Sequence, residues 1–259
     1  MIDWSFTLAG ALTGFVIGVT GVGGGALMTP ILLLFFGIHP TTAVATDLWF
    51  AAVTKIAGAR VHHSNGNVDW QVVRRLWTGS LPMALLVVVL VSMGTQVAKV
   101  DWLTKGIGII VLITSIGLLA APKLVALARK QQTGQPERFE TMQSVLTVLA
   151  GAILGVCVAL TSVGAGVMGS VMLLYLYPLR MTPHRLVATD IVHAIPLAIV
   201  AGLGYLFAGK VDWWMLASLL SGSVPAVIVG SMLASKIAGR WVRMALAFVL
   251  AVAGLKVLL

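Results

Sequence analysis

Thr20-Gly21-Val22-Gly23-Gly24-Gly25 interrupts an apolar run over about residues 5–36. It returns as Thr161-Ser162-Val163-Gly164-Ala165-Gly166 inside a second run over about 140–178. Three more blocks are doubled in the same order. Pro40 to Ala45-Thr46-Asp47 matches Pro183 to Ala188-Thr189-Asp190. Val68-Asp69-Trp70 matches Val211-Asp212-Trp213, and Gly79-Ser80-Leu81-Pro82 matches Gly222-Ser223-Val224-Pro225. The offset is 141 for the first block and 143 for the others, so one two-residue insertion accounts for the shift. The chain therefore reads as two repeats, 1–128 and 140–259, joined by a polar linker at 129–139. Duplicated halves in a very apolar chain point to a secondary transporter whose site lies where the repeats meet.

Composition sets the solvent. The 259 residues are 59% hydrophobic and 10% charged, with a mean hydropathy of +1.03. A soluble domain carries about 25% charged residues, so the bilayer must be the medium for this chain. The net charge of +9 comes from Lys and Arg scattered through short loops. That is the positive-inside pattern of a membrane protein, and it lacks the basic face that nucleic-acid binding needs. Cys157 is the single cysteine and sits in an apolar run, where it is expected to pack. His39, His62 and His63 fall in loop-like contexts without metal-ligand spacing, and no cofactor is expected. No P-loop, H-E-x-x-H, paired cysteines or nucleophile elbow occurs, which argues against an enzyme. The start, Met1-Ile2-Asp3-Trp4, lacks the basic n-region of a signal peptide, so the first apolar segment is expected to be retained.

Six further apolar segments, at 40–61, 70–94, 102–128, 182–208, 212–236 and 240–259, are long enough to span a bilayer. Trp4, Trp70, Trp102, Trp213, Trp214 and Trp241 mark segment ends, as an interfacial belt does. Each half thus has three ordinary helices and one over-long element cut by the Gly-rich block. Basic residues decide how that element runs. If it makes no net crossing, as a re-entrant or hairpin element would, thirteen basic residues share one side. These are Lys55, Arg60, Arg74, Arg75, Lys123, Arg129, Lys130, Arg138, Arg180, Arg185, Lys236, Arg240 and Arg243. Only Lys99, Lys105, Lys210 and Lys256 are left for the other side. If it crosses once, the partition is 10 against 7, almost without bias. The positive-inside rule selects the first arrangement. Three crossings per half then turn the second repeat upside down. The fold class expected is an all-α polytopic membrane protein of two inverted repeats, with the linker in the cytoplasm and both termini outside.

The Gly-rich blocks are the first candidates for chemistry. Glycine permits turns and close backbone approach. A helix broken inside a membrane frees N–H groups, which survive only against protein or a water-filled cavity. The half-helix that follows aims those N–H groups and its positive dipole end at the cavity, which suits an anion. Thr20, Gly21, Gly23, Gly24 and Gly25, with Thr161, Ser162, Gly164, Ala165 and Gly166, are the candidate substrate-binding residues. Thr20, Thr161 and Ser162 add hydroxyl donors. Close helix packing through small residues is the competing reading of the same glycines.

Asp47 and Asp190 each lie seven residues after a proline, inside an apolar helix. A central intramembrane Asp costs about 2.5–3.5 kcal/mol on insertion scales. Two readings stand: a proton or cation carrier, or an acid that bonds backbone groups freed by the break. Thr46 and Thr189 are assigned to the same network. His193 shares a helical face with Asp190 and stands opposite Phe50 of the first half. It is read either as a titrating group or as a buried, satisfied histidine. Asp69 and Asp212 read as helix N-caps, and Pro82 and Pro225 as kinks or packing features. Arg60, Arg74 and Arg75 are placed at the cytoplasmic mouth. No arginine lies deep in a segment, so the anion site is expected to have no fixed basic side chain.

The stretch Gly18-Val19-Thr20-Gly21-Val22-Gly23-Gly24-Gly25, the Pro40 to Asp47 block and their second copies resemble the TauE/SafE family of sulfite and organosulfonate exporters. The resemblance covers about residues 5–259. It implies a multi-pass inner-membrane permease for small sulfur-containing anions such as sulfite or sulfoacetate, with alternating access and proton coupling. The second copy departs from the glycine-rich pattern, because Ala165 stands among its glycines and Val167 and Met168 follow. Closer backbone approach is therefore expected at the first break. The expected partners are membrane lipid and a small anionic substrate, and a homodimer is compatible with the sequence. An uptake permease for another small anion, a passive anion channel and a non-transporting membrane subunit remain as alternatives.

Overall fold

A computed structural model of the chain describes residues 3–20, 25–61, 68–93, 100–134, 136–233 and 239–259. Among the described residues all regular structure is helical. The first half contains α1 (Trp4–Thr20), α2 (Gly25–Phe36), α3 (Pro40–Val61), α4 (Trp70–Ser92) and α5 (Val100–Gly134). The second contains α6 (Pro136–Thr161), α7 (Val167–Leu176), α8 (Pro183–Phe207), α9 (Trp213–Leu233) and α10 (Gly239–Leu258). The second over-long segment is cut where its repeat block stands, leaving the short α7, while in the first residues 21–24 of the block lie outside the described residues, with α1 described to Thr20 and α2 from Gly25. The polar linker is helical on either side of residue 135, because α5 runs on to Gly134 and α6 starts at Pro136.

Five helices carry stretches long and apolar enough to cross a membrane: Trp70–Val91, Trp102–Ala128, Met142–Thr161, His184–Phe207 and Trp213–Leu233. Large apolar side chains on α4, α5, α6 and α10 stay exposed, including Leu86, Ile116, Ile153 and Phe248. In water such a surface would aggregate, and in a bilayer it is simply wetted by lipid. Trp4, Trp70, Trp102, Trp213 and Trp214 are exposed near helix ends, as expected for side chains with an apolar body and a polar N–H. The chain is a multi-pass membrane protein.

The caps follow the sequence reading. Asp69 accepts a hydrogen bond from the Val72 N–H at the start of α4, and Asp212 Oδ1 accepts from the Met215 N–H at 2.9 Å at the start of α9. Thr182 caps α8, with Pro183 at its first position, where a missing N–H costs nothing. Pro82 and Pro225 lie inside α4 and α9 on exposed faces. Cys157 is buried in α6.

The halves are interleaved. The most extensive packing is α1 on α9 and α4 on α6, each pair drawing one helix from each half. Glycine sets both contacts. A Cβ on Gly10 or Gly14 of α1 would collide with the backbone carbonyl of Leu219 or Ser223. A Cβ on Gly151 or Gly155 of α6 would collide with that of Leu76 or Ser80. In the reverse sense, Gly222 abuts the Thr7 carbonyl and Gly79 the Val148 carbonyl. Every one of these contacts maps onto its partner by the repeat offsets, so the two halves embrace each other reciprocally. Such close approach is the main source of attraction between helices in lipid, where burial supplies little.

Numbers rise together across these contacts, so α1 runs parallel to α9 and α6 parallel to α4. Lys55 meets Asp190 while Trp49 meets Gly202, so α3 and α8 run antiparallel. The chain leaves α7 near where it entered α6. Gln143 Nε2 donates to the Leu176 carbonyl at 2.6 Å, and the Thr147 and Tyr177 hydroxyls are bonded at 2.7 Å. The interrupted element of the second half is thus a helical hairpin. The central core lies between the halves, built on Val44, Leu48 and Ala52 of α3, Val158 of α6, and Leu197, Ala201 and Tyr205 of α8.

Candidate functional site

The second break is fully described. α6 ends at Thr161, whose hydroxyl donates to the Cys157 carbonyl at 2.6 Å and accepts from the Val163 N–H at 3.1 Å. Ser162, Gly164 and Gly166 have φ of 58°, 126° and 125°. Glycine tolerates those angles freely, while a left-handed serine costs of order 1–3 kcal/mol. α7 then starts from Gly166 with no side-chain cap. Its first internal bonds run from Gly169 N–H to the Gly164 carbonyl and from Ser170 N–H to the Gly166 carbonyl. Among the described residues, none accepts from the N–H groups of Gly166, Val167 and Met168. Those donors sit in the interior at the positive end of α7, and the break is buried apart from half-buried Ala165.

Of the first break, only the flanking backbone is described: α1 ends at Thr20 and α2 begins at Gly25. Gly21, Gly23 and Gly24 lie outside the described residues, as do His62 and His63. The larger role expected of the first break therefore rests on its sequence.

Each acid abuts the short helix of its own half. Asp47, on α3 and fully buried, accepts at Oδ2 from both the N–H and the hydroxyl of Thr29 in α2. Its Oδ1 is unpartnered, and so is the hydroxyl of Ser162. The Ser162 hydroxyl nevertheless lies close to Asp47, so the tip of the second-half break approaches the acid of the first half. Asp190, on α8, leaves Oδ1 unpartnered beside α7, where a Cβ on Gly169 would stand 3.1 Å from it.

The other oxygen of Asp190 meets a residue that the sequence reading misplaced. Lys55 Nζ lies 2.9 Å from Asp190 Oδ2, and the two side chains are 4% and 2% exposed. Lys55 is thus no loop charge: it lies inside α3. Without it the positive-inside count becomes twelve against four, which leaves the bias intact. Lys55 thus places a buried ammonium between the halves, a basic side chain deep in a segment that the sequence reading counted only as topology. The signal was available, since an ionisable residue inside a membrane segment is a functional candidate by default.

Thr46 and Thr189 do not bond the neighbouring acids. The Thr46 hydroxyl accepts from the Asp212 N–H at 3.2 Å and the Thr189 hydroxyl from the Asp69 N–H at 3.1 Å. Each threonine therefore holds the head of a helix in the opposite half, reciprocally. His193 is buried and bonded through Nε2 to the Ser80 hydroxyl at 3.0 Å, while the Trp77 indole donates to its carbonyl. His39 bonds Thr41 at the start of α3. Near the linker end, Arg180 pairs with the buried Asp69 and reaches Gln71, and Arg75 donates to the Tyr177 hydroxyl. These bonds tie the exit of α7 to the head of α4. The Arg60 side chain lies outside the described residues, and Arg74 is exposed. Among the described residues, no His, Cys, Asp and Glu group has the geometry to hold a metal.

Comparison with known proteins agrees with this architecture. The family model for the sulfite exporter TauE/SafE matches residues 6–257. A probable membrane transporter protein of Bacillus subtilis, YjnA, is 32% identical over 98% of this chain and 99% of its own length. A second from the same organism, YdhB, is 25% identical over 85% of each chain. A probable membrane transporter protein of Haemophilus influenzae is 28% identical over 61% of this chain and 58% of its own. No solved structure matches the chain.

Proposed function

Because this chain belongs to the sulfite exporter TauE/SafE family of membrane transporters, we propose that it moves a small sulfur-containing oxyanion outward by alternating access. Sulfite, sulfoacetate and related sulfonates are the substrate class. One observation carries the reading: a buried break with unpartnered N–H donors and a free Ser162 hydroxyl, set against an acid from the other half. Backbone donors at a helix N-terminus are a ready oxyanion site.

In this account Ser162, Gly164, Ala165 and Gly166 contact the anion directly. Thr161 shapes the break, because its proton is spent on the Cys157 carbonyl. Thr20, Gly21, Gly23, Gly24 and Gly25 provide the matching contacts of the first half. Asp47 and Asp190 couple protons to the passage, with Thr46, Thr189 and His193 holding the surrounding helices.

The repeats, 1–128 and 140–259, are proposed to be inverted about this site, with the 129–139 linker in the cytoplasm. The hairpin formed by α6 and α7, the antiparallel α3 and α8, and the basic-residue bias support that orientation. Rocking one half against the other would then open the site to each side in turn.

Counterflow in proteoliposomes tests the proposal. Labelled sulfite or sulfoacetate should exchange against the same anion and against each other. Zwitterionic taurine should exchange at least about tenfold more slowly, the equivalent of about 1.4 kcal/mol in recognition of net charge. Exchange of none of these anions would remove the proposed function.

A further inference from the structure

Lys55 is the one buried lysine or arginine among the described residues. The repeat architecture does not demand it, since the equivalent position in the second half is Ala198. Nor does a buried acid in this fold demand a cation, because among the described residues Asp47 is held by Thr29 without one. Asp190 meanwhile lies between an ammonium 2.9 Å from its Oδ2 and the first turn of α7 beside its Oδ1. That is the environment an oxyanion would choose. We propose that Lys55 is the substrate's counterion and that the Asp190 carboxylate is a tethered competitor, occupying the anion's place until substrate arrives. The inference rests on the anion-transport reading above and deepens it.

The charge balance defines the step. At rest Lys55 and Asp190 neutralise each other. When an oxyanion takes Lys55, the released carboxylate stays in an apolar interior only if it takes a proton from water on the open side. Through Asp190, one proton thus enters with each anion. On the far side the anion leaves, Asp190 returns the proton to water, and the ion pair re-forms.

The other charged and titratable groups around the pair are few. His193 lies one turn along α8, held by Ser80. Asp47 lies further along α3 on Thr29. Asp69 is engaged by Arg180 and Arg185, and Asp212 caps α9. Arg74, Lys105 and Lys123 on the neighbouring helices are exposed, and Arg75 is half-buried against Tyr177. Each is exposed or held by a partner other than Lys55.

Three variants test this in sulfoacetate counterflow at several pH values, each made in an Asp47→Asn parent so that the other acid does not titrate: Lys55→Met, Asp190→Asn and the double change. Lys55→Met should raise KM about tenfold or more. Asp190→Asn should keep a KM no higher than the parent's, and that KM should no longer depend on pH. The double variant removes both charges and so avoids a stranded buried carboxylate. It should recover folded yield but keep the raised, pH-independent KM. A double variant with the parent's KM would reduce the pair to a structural tie and overturn the inference, while the parent's own exchange would leave the transport reading standing. A pH-dependent KM in Asp190→Asn would overturn it equally. If the parent exchanges no anion, both readings fall together.

Discussion

Replacing Gly155 with leucine should cost most of the folded protein. Gly155 lies where α6 crosses α4, and even a Cβ there would overlap the Ser80 carbonyl and Cα. Neither helix can yield locally, because the obstacle is backbone. The helices must separate, and Ser80 would be drawn away from His193. Overpacking of this kind costs about 1–3 kcal/mol and sometimes more, and each 1.4 kcal/mol is about tenfold in an equilibrium. Gly14→Leu should behave alike, since it meets Ser223 at the equivalent crossing of α1 and α9. Gly117→Leu is the control: a Cβ at that position on α5 meets nothing within 4 Å. Monodisperse yield in detergent and thermal unfolding would compare the three. Equal behaviour of Gly155→Leu and Gly117→Leu would show that the crossings are not set by glycine.

The second large effect is expected from the two acids. Asp47→Asn combined with Asp190→Asn should leave an exchanger that a pH gradient no longer drives. Asp47 has no cation partner among the described residues, and its carboxyl lies near Ser162, where the anion is proposed to bind. A carboxylate there opposes an incoming anion until a proton neutralises it. Asparagine keeps an oxygen for Thr29 but removes the charge, so counterflow should continue while gradient-driven accumulation falls at least about tenfold, near 1.4 kcal/mol of lost coupling. Asp47→Ala should differ in kind. It removes the acceptor of the buried Thr29 hydroxyl, a cost of about 1–3 kcal/mol, and should lower stability first. Gradient-driven accumulation equal to the parent's in the double Asn variant would refute the coupling role of the acids.

What the sequence disclosed follows from its chemistry. In a chain this apolar, a triple glycine, a Pro-to-Asp block or an Asp-Trp pair stands out, so the breaks, helix heads and acids could be placed by eye. The doubling turned single weak motifs into a matched set. Packing partners were not legible in the same way. Gly10 and Gly14 repeat at a spacing of four, as do Gly151 and Gly155, which marks a packing stripe. Nothing in that spacing tells that α1 seats on α9 rather than on a helix of its own half. Thr46 and Thr189 were assigned to the acids beside them, because sequence proximity is visible and the reciprocal bonds to Asp212 and Asp69 are not. Lys55 was misplaced for a related reason. It stands six residues before the last residue of α3, close enough to be counted with the basic loop, and only the three-dimensional arrangement brings Asp190 to it.

Everything proposed for the site depends on the second half lying upside down relative to the first. Two single cysteines measure that directly, one at Gln132 in the linker and one at Lys210 between α8 and α9, each in a chain whose buried Cys157 is replaced by alanine. A membrane-impermeant maleimide added to intact cells should label the cysteine at position 210 and leave the one at 132 unlabelled until the membrane is opened. Labelling of both from the same side would contradict the inverted arrangement.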